Sequence, residues 1–304
     1  MLVVQVRRFS RPRGVPQGVQ QLTRYRKAQI EERTRETQRL DKILQDAGVK
    51  LSSVASDILG RSGRAMLGAL IRGTTDTEVL ADLALGKLRK KIPALREALT
   101  SRFSGHHALI VAAILSKLDF LDELIASLTV EIEKAIAPFA HQIQLLDTIP
   151  GVDQRTAQGL LAEIGPNMKV FANAARLASW AGVCPGNHES AGRSKSGATR
   201  KGPRWLGIYL HNAAMGALRA KNTYLAAQYA RLRPRLGHAR ALVAIKHSIL
   251  VAIFHMLDRD QPYHDLGVNY FIRREDPQRR ARKLIRQLEA IGYTVNAEPP
   301  PAAA

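Results

Sequence analysis

VAAILSKLDFLDELIASLTVEIEKA, residues 111–135, decides the fold class. Val111, Ile114, Leu118, Leu121, Ile125, Leu128, Ile132 and Ala135 fall three or four residues apart, and the pattern ends near Pro138. Apolar positions sustained at that spacing form one stripe on an α-helix, the seam of a coiled coil or of a long amphipathic helix. The acids Asp119, Asp122, Glu123, Glu131 and Glu133 lie largely off the stripe. An acidic helix face in a basic chain fits a second copy of the chain or an intrachain helix better than it fits DNA.

Helical patterns extend outward on both sides. Upstream, QQLTRYRKAQIEERTRETQRLDKILQDAG starts at Gln20, carries sparse apolar positions and many arginines, and ends at a plausible cap, Gly48. Its cations mark either a solvated helix laced with ion pairs or a nucleic-acid contact. Shorter pieces are expected at about 52–72, 76–86 and 92–101, and downstream at 204–219, 222–232, 238–258 and 276–291. No segment sustains the period-2 alternation of a strand. The expected class is mainly α: an irregular basic start (1–19), a helical and coiled-coil region (20–140), a helical domain (141–275), and a basic helix with a Pro/Ala tail (276–304).

The composition narrows the function. Lys and Arg outnumber Asp and Glu by 46 to 26 over 304 residues, a formal net charge of +20, which calls for a polyanionic partner. Cys184 is the single cysteine, so no intrachain disulfide framework exists and a reducing cytoplasm suits the chain. No secretory signal is visible, and Lys246, His247 and His255 interrupt the most apolar run, Leu242 to Leu257, so no membrane span is expected.

Two stretches are candidates for phosphate chemistry. In LLDTIPGVDQRTAQGLLAEIG (145–165) a Pro150–Gly151 turn followed by a small-residue helix resembles a helix-hairpin-helix element. Its glycine turn presents backbone N–H groups to a phosphate without reading bases, and an ordinary αα-hairpin is the alternative. In GVCPGNHESAGRSKSGATRKGPRW (182–205) Ser190, Ser194 and Ser196 stand among glycines and cations, and from Arg193 to Arg204 the stretch holds Arg193, Lys195, Arg200, Lys201 and Arg204 with no acid. Glycine lets a nucleic-acid backbone approach, and the cations stabilise charge on phosphate oxygens around a serine nucleophile. A flexible phosphate-gripping loop is the other reading. Metal signals are weak: Cys184 and His188 make a lone C-x3-H, and Asp119, Asp122 and Glu123 suit a solvated face better than a Mg2+ cluster.

LLDTIPGVDQRTAQGLLAEIGP, FANAARLASWAGVCPGNHESAGRSKSGATRKGPRWL, KNTYLAAQYARL and AIKHSILVAIFHML closely resemble the C-terminal half of insertion-sequence transposases of the IS110/IS116/IS902 family. LTRYRKAQIEERTRETQRLDKILQDAGVKLSSVASDILGRSGRAMLGALI and LRKKIPALREAL resemble the middle of those proteins, so the likeness covers nearly all of residues 20–275. The resemblance implies a DEDD transposase, in which a RuvC-like domain holds Mg2+ on four acids and a helical transposase domain supplies a serine that attacks the DNA phosphodiester. It also implies a guide non-coding RNA; self-association is expected separately, through the apolar seam of the 111–135 helix. Matched to the family, NHESAG places Ser190 as the nucleophile, with Gly192, Arg193, Lys201 and Gly202 as backbone-binding neighbours. The metal-binding acids of the family should precede the LTRYRK helix, yet MLVVQVRRFSRPRGVPQGVQ contains neither Asp nor Glu. The expectation is a chain without that quartet: a truncated frame, a late start codon, or a product completed by another polypeptide. The alternative to a working transposase is a catalytically inert nucleic-acid-binding remnant.

Overall fold

The computed structural model describes residues 15, 17–185, 188–190, 193–273 and 277–295. They are mainly helical and fall into two compact units. One spans Gln21–Ala135; the other takes the residues up to Gln20 and those from Ile136.

In the first unit α1 (Gln17–Asp46) and α6 (Gly105–Ile136) are the long helices. Between them lie α2 (Leu51–Val54), α3 (Arg61–Ile71), α4 (Thr77–Asp82) and α5 (Ile92–Leu99). Gly48 closes α1 at φ +84°, and the Val49 N–H donates to the Leu44 carbonyl at 2.8 Å, the bond that satisfies a helix's last carbonyls. Asp46, Glu36 and Arg33 of α1 meet His107, Lys117 and Asp122 of α6 in reverse order, so the two helices run antiparallel. Leu40 and Leu44 join Val111, Ile114 and Leu118 in one core, with Met66, Leu67, Leu80, Leu95 and Leu99 from the short helices. The first half of the apolar seam expected from the sequence is thus filled from within the chain, while Ile125, Leu128 and Ala135 further along are only partly buried.

The acidic face of α6 is also used internally. Asp122 takes Arg33, Asp119 takes Arg64 at 2.7 Å, and Lys117 bridges Glu32 at 2.9 Å and Glu36 at 2.5 Å. Arg35 and Arg39 pair with Glu32 and Glu36 one turn earlier. Much of the positive charge of α1 is therefore already neutralised.

The second unit contains α7 (Ala140–Asp147), α8 (Gln154–Ile164), α9 (Ala174–Trp180), a hairpin of β1 (His188–Ser190) and β2 (Arg193–Ser196), α10 (Arg204–Arg219), α11 (Tyr224–Arg259), α12 (Tyr270–Arg273) and α13 (Pro277–Ala290). The hairpin corrects the expectation of an irregular loop at 182–205. Its strands are three and four residues long, too short to show a period.

Two close approaches set the packing around α10. Gly159 of α8 lies flat on the Tyr209 ring, where a Cβ would come within 2.2 Å of a ring carbon. Gly151 meets the backbone of Gly216 and Ala217, where a Cβ would fall 2.0 Å from the Ala217 nitrogen. By length and composition α11 suffices to cross a membrane. Here it is a core helix: Ala241, Leu242, Ile245, Ile249, Leu250, Ile253 and Phe254 are buried, and Gly237 (φ 76°, ψ 170°) breaks it in two.

Candidate nucleic-acid interface

The serine stretch is tied at its base. Gly182, at φ +72°, packs on Gly202; a Cβ on Gly202 would sit 2.0 Å from the Ala181 carbonyl oxygen. Above this contact Pro185 pairs with Thr199, and the hairpin continues with His188 opposite Ser196, Glu189 opposite Ser194 and Ser190 opposite Arg193. The register shift between His188 and Glu189 is a bulge, the kind of irregularity that re-aims a strand. Ser190 therefore ends β1 beside the tip, on backbone rather than on an open loop. Gly192 lies outside the described residues, as do the side chains of Ser190, Arg193 and Lys195.

The hairpin leads into the N-terminus of α10. Pro203 precedes the helix, and no side chain caps its first turn. Lys201 and Arg204 are exposed there, and the Arg204 guanidinium lies 5.3 Å from the centre of the Trp205 ring. Arg200 donates to Ser179 Oγ at 2.6 Å, pinning the second arm of the hairpin to the end of α9. Cations at a helix N-terminus oppose the helix dipole, and an anion bound there relieves that conflict. Burial pushes the Cys184 thiol up, against the opposing charge of Arg200, the direction away from an activated nucleophile.

Residues 143–230 match the profile of the Transposase IS116/IS110/IS902 family. That segment is similar to a transposase domain of that family. No curated protein matches the chain.

Of the expected site residues, the transposase-like segment brings Ser190, Arg193, Lys195, Arg200, Lys201, Gly202 and Arg204 onto one hairpin and the helix start that follows it. Pro150 and Gly151 sit apart from them in chain order, on the turn between α7 and α8. Gly151 owes its residue type to φ +88° and to the backbone of α10. Asp153, two residues on, caps α8 by accepting from the Thr156 N–H at 2.8 Å. Its carboxylate is thus a negative charge two residues from the turn.

Sequence reading by short motifs passed over one feature. From Ser190 to Leu257 there is no Asp or Glu, while twelve Lys and Arg occur. Counting charge over a long window finds it; motif spacing does not. Within that run Lys246 is half-buried, and burial lowers the pKa of its ammonium. His211 is lowered by burial and by the nearby charges of Lys246 and His238.

Among the described residues no three His, Cys, Asp or Glu side chains stand close enough to share a metal ion. Asp119 and Asp122 are held by Arg64 and Arg33, so the acidic face of α6 is an ion-pairing surface. The Mg2+ implied by the family resemblance does not fit the described side chains.

Proposed function

We propose that the chain binds DNA and acts as an insertion-sequence transposase that cuts and rejoins strands through Ser190. The observation that carries this reading is the family-matched segment itself: in it a serine sits near the tip of a cationic hairpin, and the acid-free chain that follows it runs into an uncapped helix N-terminus. In the reaction the Ser190 Oγ attacks a phosphodiester, a phosphoserine bond forms and the P–O bond to the leaving strand breaks, with the proton passing to the departing oxygen. Arg193, Lys195, Arg200, Lys201 and Arg204, with Gly192 and Gly202 between them, hold the backbone and offset charge on the phosphate oxygens. The Pro150–Gly151 turn is the second proposed backbone contact. The setting is the bacterial or archaeal cytoplasm at the nucleoid, with a guide RNA as a further partner. Self-association belongs to the proposal too. Because Val111, Ile114, Leu118 and Leu121 are buried in the chain's own core, a second copy meets the outward residues Leu109, Phe120 and Val130.

The test is a covalent adduct. Incubated with Mg2+ and duplex carrying the ends of the element, the chain is expected to give a denaturant-resistant protein–DNA species. Ser190→Ala abolishes it and leaves DNA affinity within about twofold, whereas Ser194→Ala and Ser196→Ala retain it. Loss only with Ser194→Ala or Ser196→Ala would move the nucleophile. A second reading, a nucleic-acid-binding chain without strand transfer, is favoured by the lack of a carboxylate cluster among the described residues. Binding without any adduct from the unaltered chain would select it.

A further inference from the structure

α11 contains a conflict that packing does not explain. Around Gly237 its sequence is YARLRPRLGHAR, with Arg231, Arg233, Arg235 and Arg240 all exposed. Arg231 and Arg235 are one turn apart, an arrangement that costs a helix a few tenths of a kcal/mol through like-charge repulsion. Pro234 and Gly237 weaken the same helix further. None of the ion pairs between described residues involves these four arginines, and the next carboxylate along the chain is Asp258. A local arrangement this unfavourable in the free protein points to a charged partner.

The break is held in a definite shape. Tyr229 and His238 are nine residues apart, about 13 Å in a straight helix, yet Tyr229 Oη lies 2.6 Å from His238 Nδ1. Arg231 is fixed by the Phe271 ring, 4.9 Å from its guanidinium, and that ring stacks on Tyr224. The arginines are therefore presented on a bent, braced helix. Guanidinium groups match phosphate oxygens in pairs, and Tyr229, engaged by His238, is no free stacking surface for a base.

We propose that the bend of α11, through Arg233, Arg235 and Arg240 with Arg231 behind them, grips the sugar-phosphate backbone of a nucleic acid without reading its sequence. This rests on the nucleic-acid reading above and adds a site outside the serine hairpin. The site also begins where the family match at 143–230 ends.

The experiment measures affinity against salt for the full chain on two probes, a duplex DNA of arbitrary sequence and a structured RNA hairpin. Each duplex-DNA phosphate neutralised contributes about 0.9 to the slope of log affinity against log salt. The variant R233Q/R235Q/R240Q is expected to lower that slope by about 2 to 3 and to weaken binding on the order of tenfold or more. The triple lysine variant is expected to keep the slope. As a control, R35Q/R39Q, which removes cations already paired on α1, is expected to leave it unchanged. Should the glutamine triple fail to fold by circular dichroism, R235Q alone is expected to lower the slope by about 1. Loss on DNA, on RNA or on both supports the site and names the source of the phosphate; loss on neither overturns it. A flat salt response of the unaltered chain is a different failure, that of the nucleic-acid reading itself.

Discussion

Asp153 shows how one residue can limit a familiar motif. Burial pushes its carboxyl up, but hydrogen bonds from Thr156 and the nearby Arg155 outweigh that and hold it below the usual carboxylate range. It is therefore ionised at neutral pH, and it caps α8, a role typically worth about 1 kcal/mol. The same charge repels any phosphate on the Pro150–Gly151 turn. Asn caps a helix as well as Asp does, so Asp153→Asn removes the charge while keeping the fold. If the turn meets DNA, a unit charge a few ångströms away is worth about 1 kcal/mol in water, so affinity at low salt should rise on the order of fivefold. Fluorescence anisotropy on a short duplex reads this directly. No change would leave the turn as packing alone, held by Gly151 against Gly216 and Ala217. The turn was legible in the sequence as a glycine turn between helices. Its contact was not, because the partner backbone lies some 65 residues away and leaves no local pattern.

At the scale of elements, the pairing of α1 with α6 carries a pH signature. Hydrogen bonds from Lys117, then from Arg35, hold the Glu32 carboxyl down to about 2, against an ordinary 4.5. Since the folded value lies below the unfolded one, the unfolded chain takes up the proton first as pH falls. The contribution of Glu32 is fully present above about pH 4.5 and is lost as pH drops towards 2. Thermal midpoints followed by circular dichroism should therefore fall across that window, and Glu32→Gln should flatten the fall. A variant with an unchanged acid profile would show that the Lys117–Glu32 bond does not persist in solution. α6 was visible in the sequence because its apolar positions recur every three or four residues; α1, with sparse apolar positions, was visible as a long helical pattern ended by Gly48. The break at Gly237 was visible for the same reason, as two separate patterns at 222–232 and 238–258. The hairpin was not: its two strands have seven residues between them and a bulge, and its base depends on Gly182 meeting Gly202 across the intervening chain. The candidate serine and cations were legible as composition; their placement on a tied hairpin before α10 was not.

Over the whole molecule the charge is unevenly divided. Residues 21–135 hold 19 Lys and Arg against 15 Asp and Glu, leaving +4, and the rest of the chain holds 27 against 11, leaving +16. Under the proposed function the polyanion is met by the unit that holds the family-matched segment, while the other unit uses much of its charge in its own ion pairs. That division bears on self-association. Where the stripe is buried within the chain, as at Leu121, it cannot also join two copies, so Leu121 and the outer face of α6 should respond differently to substitution. Leu121→Ala removes a buried side chain, typically at a cost of about 2–5 kcal/mol. It should lower the unfolding midpoint and leave the mass measured by light scattering unchanged. Phe120, 61% exposed on the outward side, has little packing to lose. Phe120→Ser should keep the midpoint and lower the mass, because water replaces a contact between copies rather than a core. If Leu121→Ala changed the mass while the chain stayed folded, the seam would join two chains after all, and the antiparallel partner of α6 in solution would be α1 of another copy.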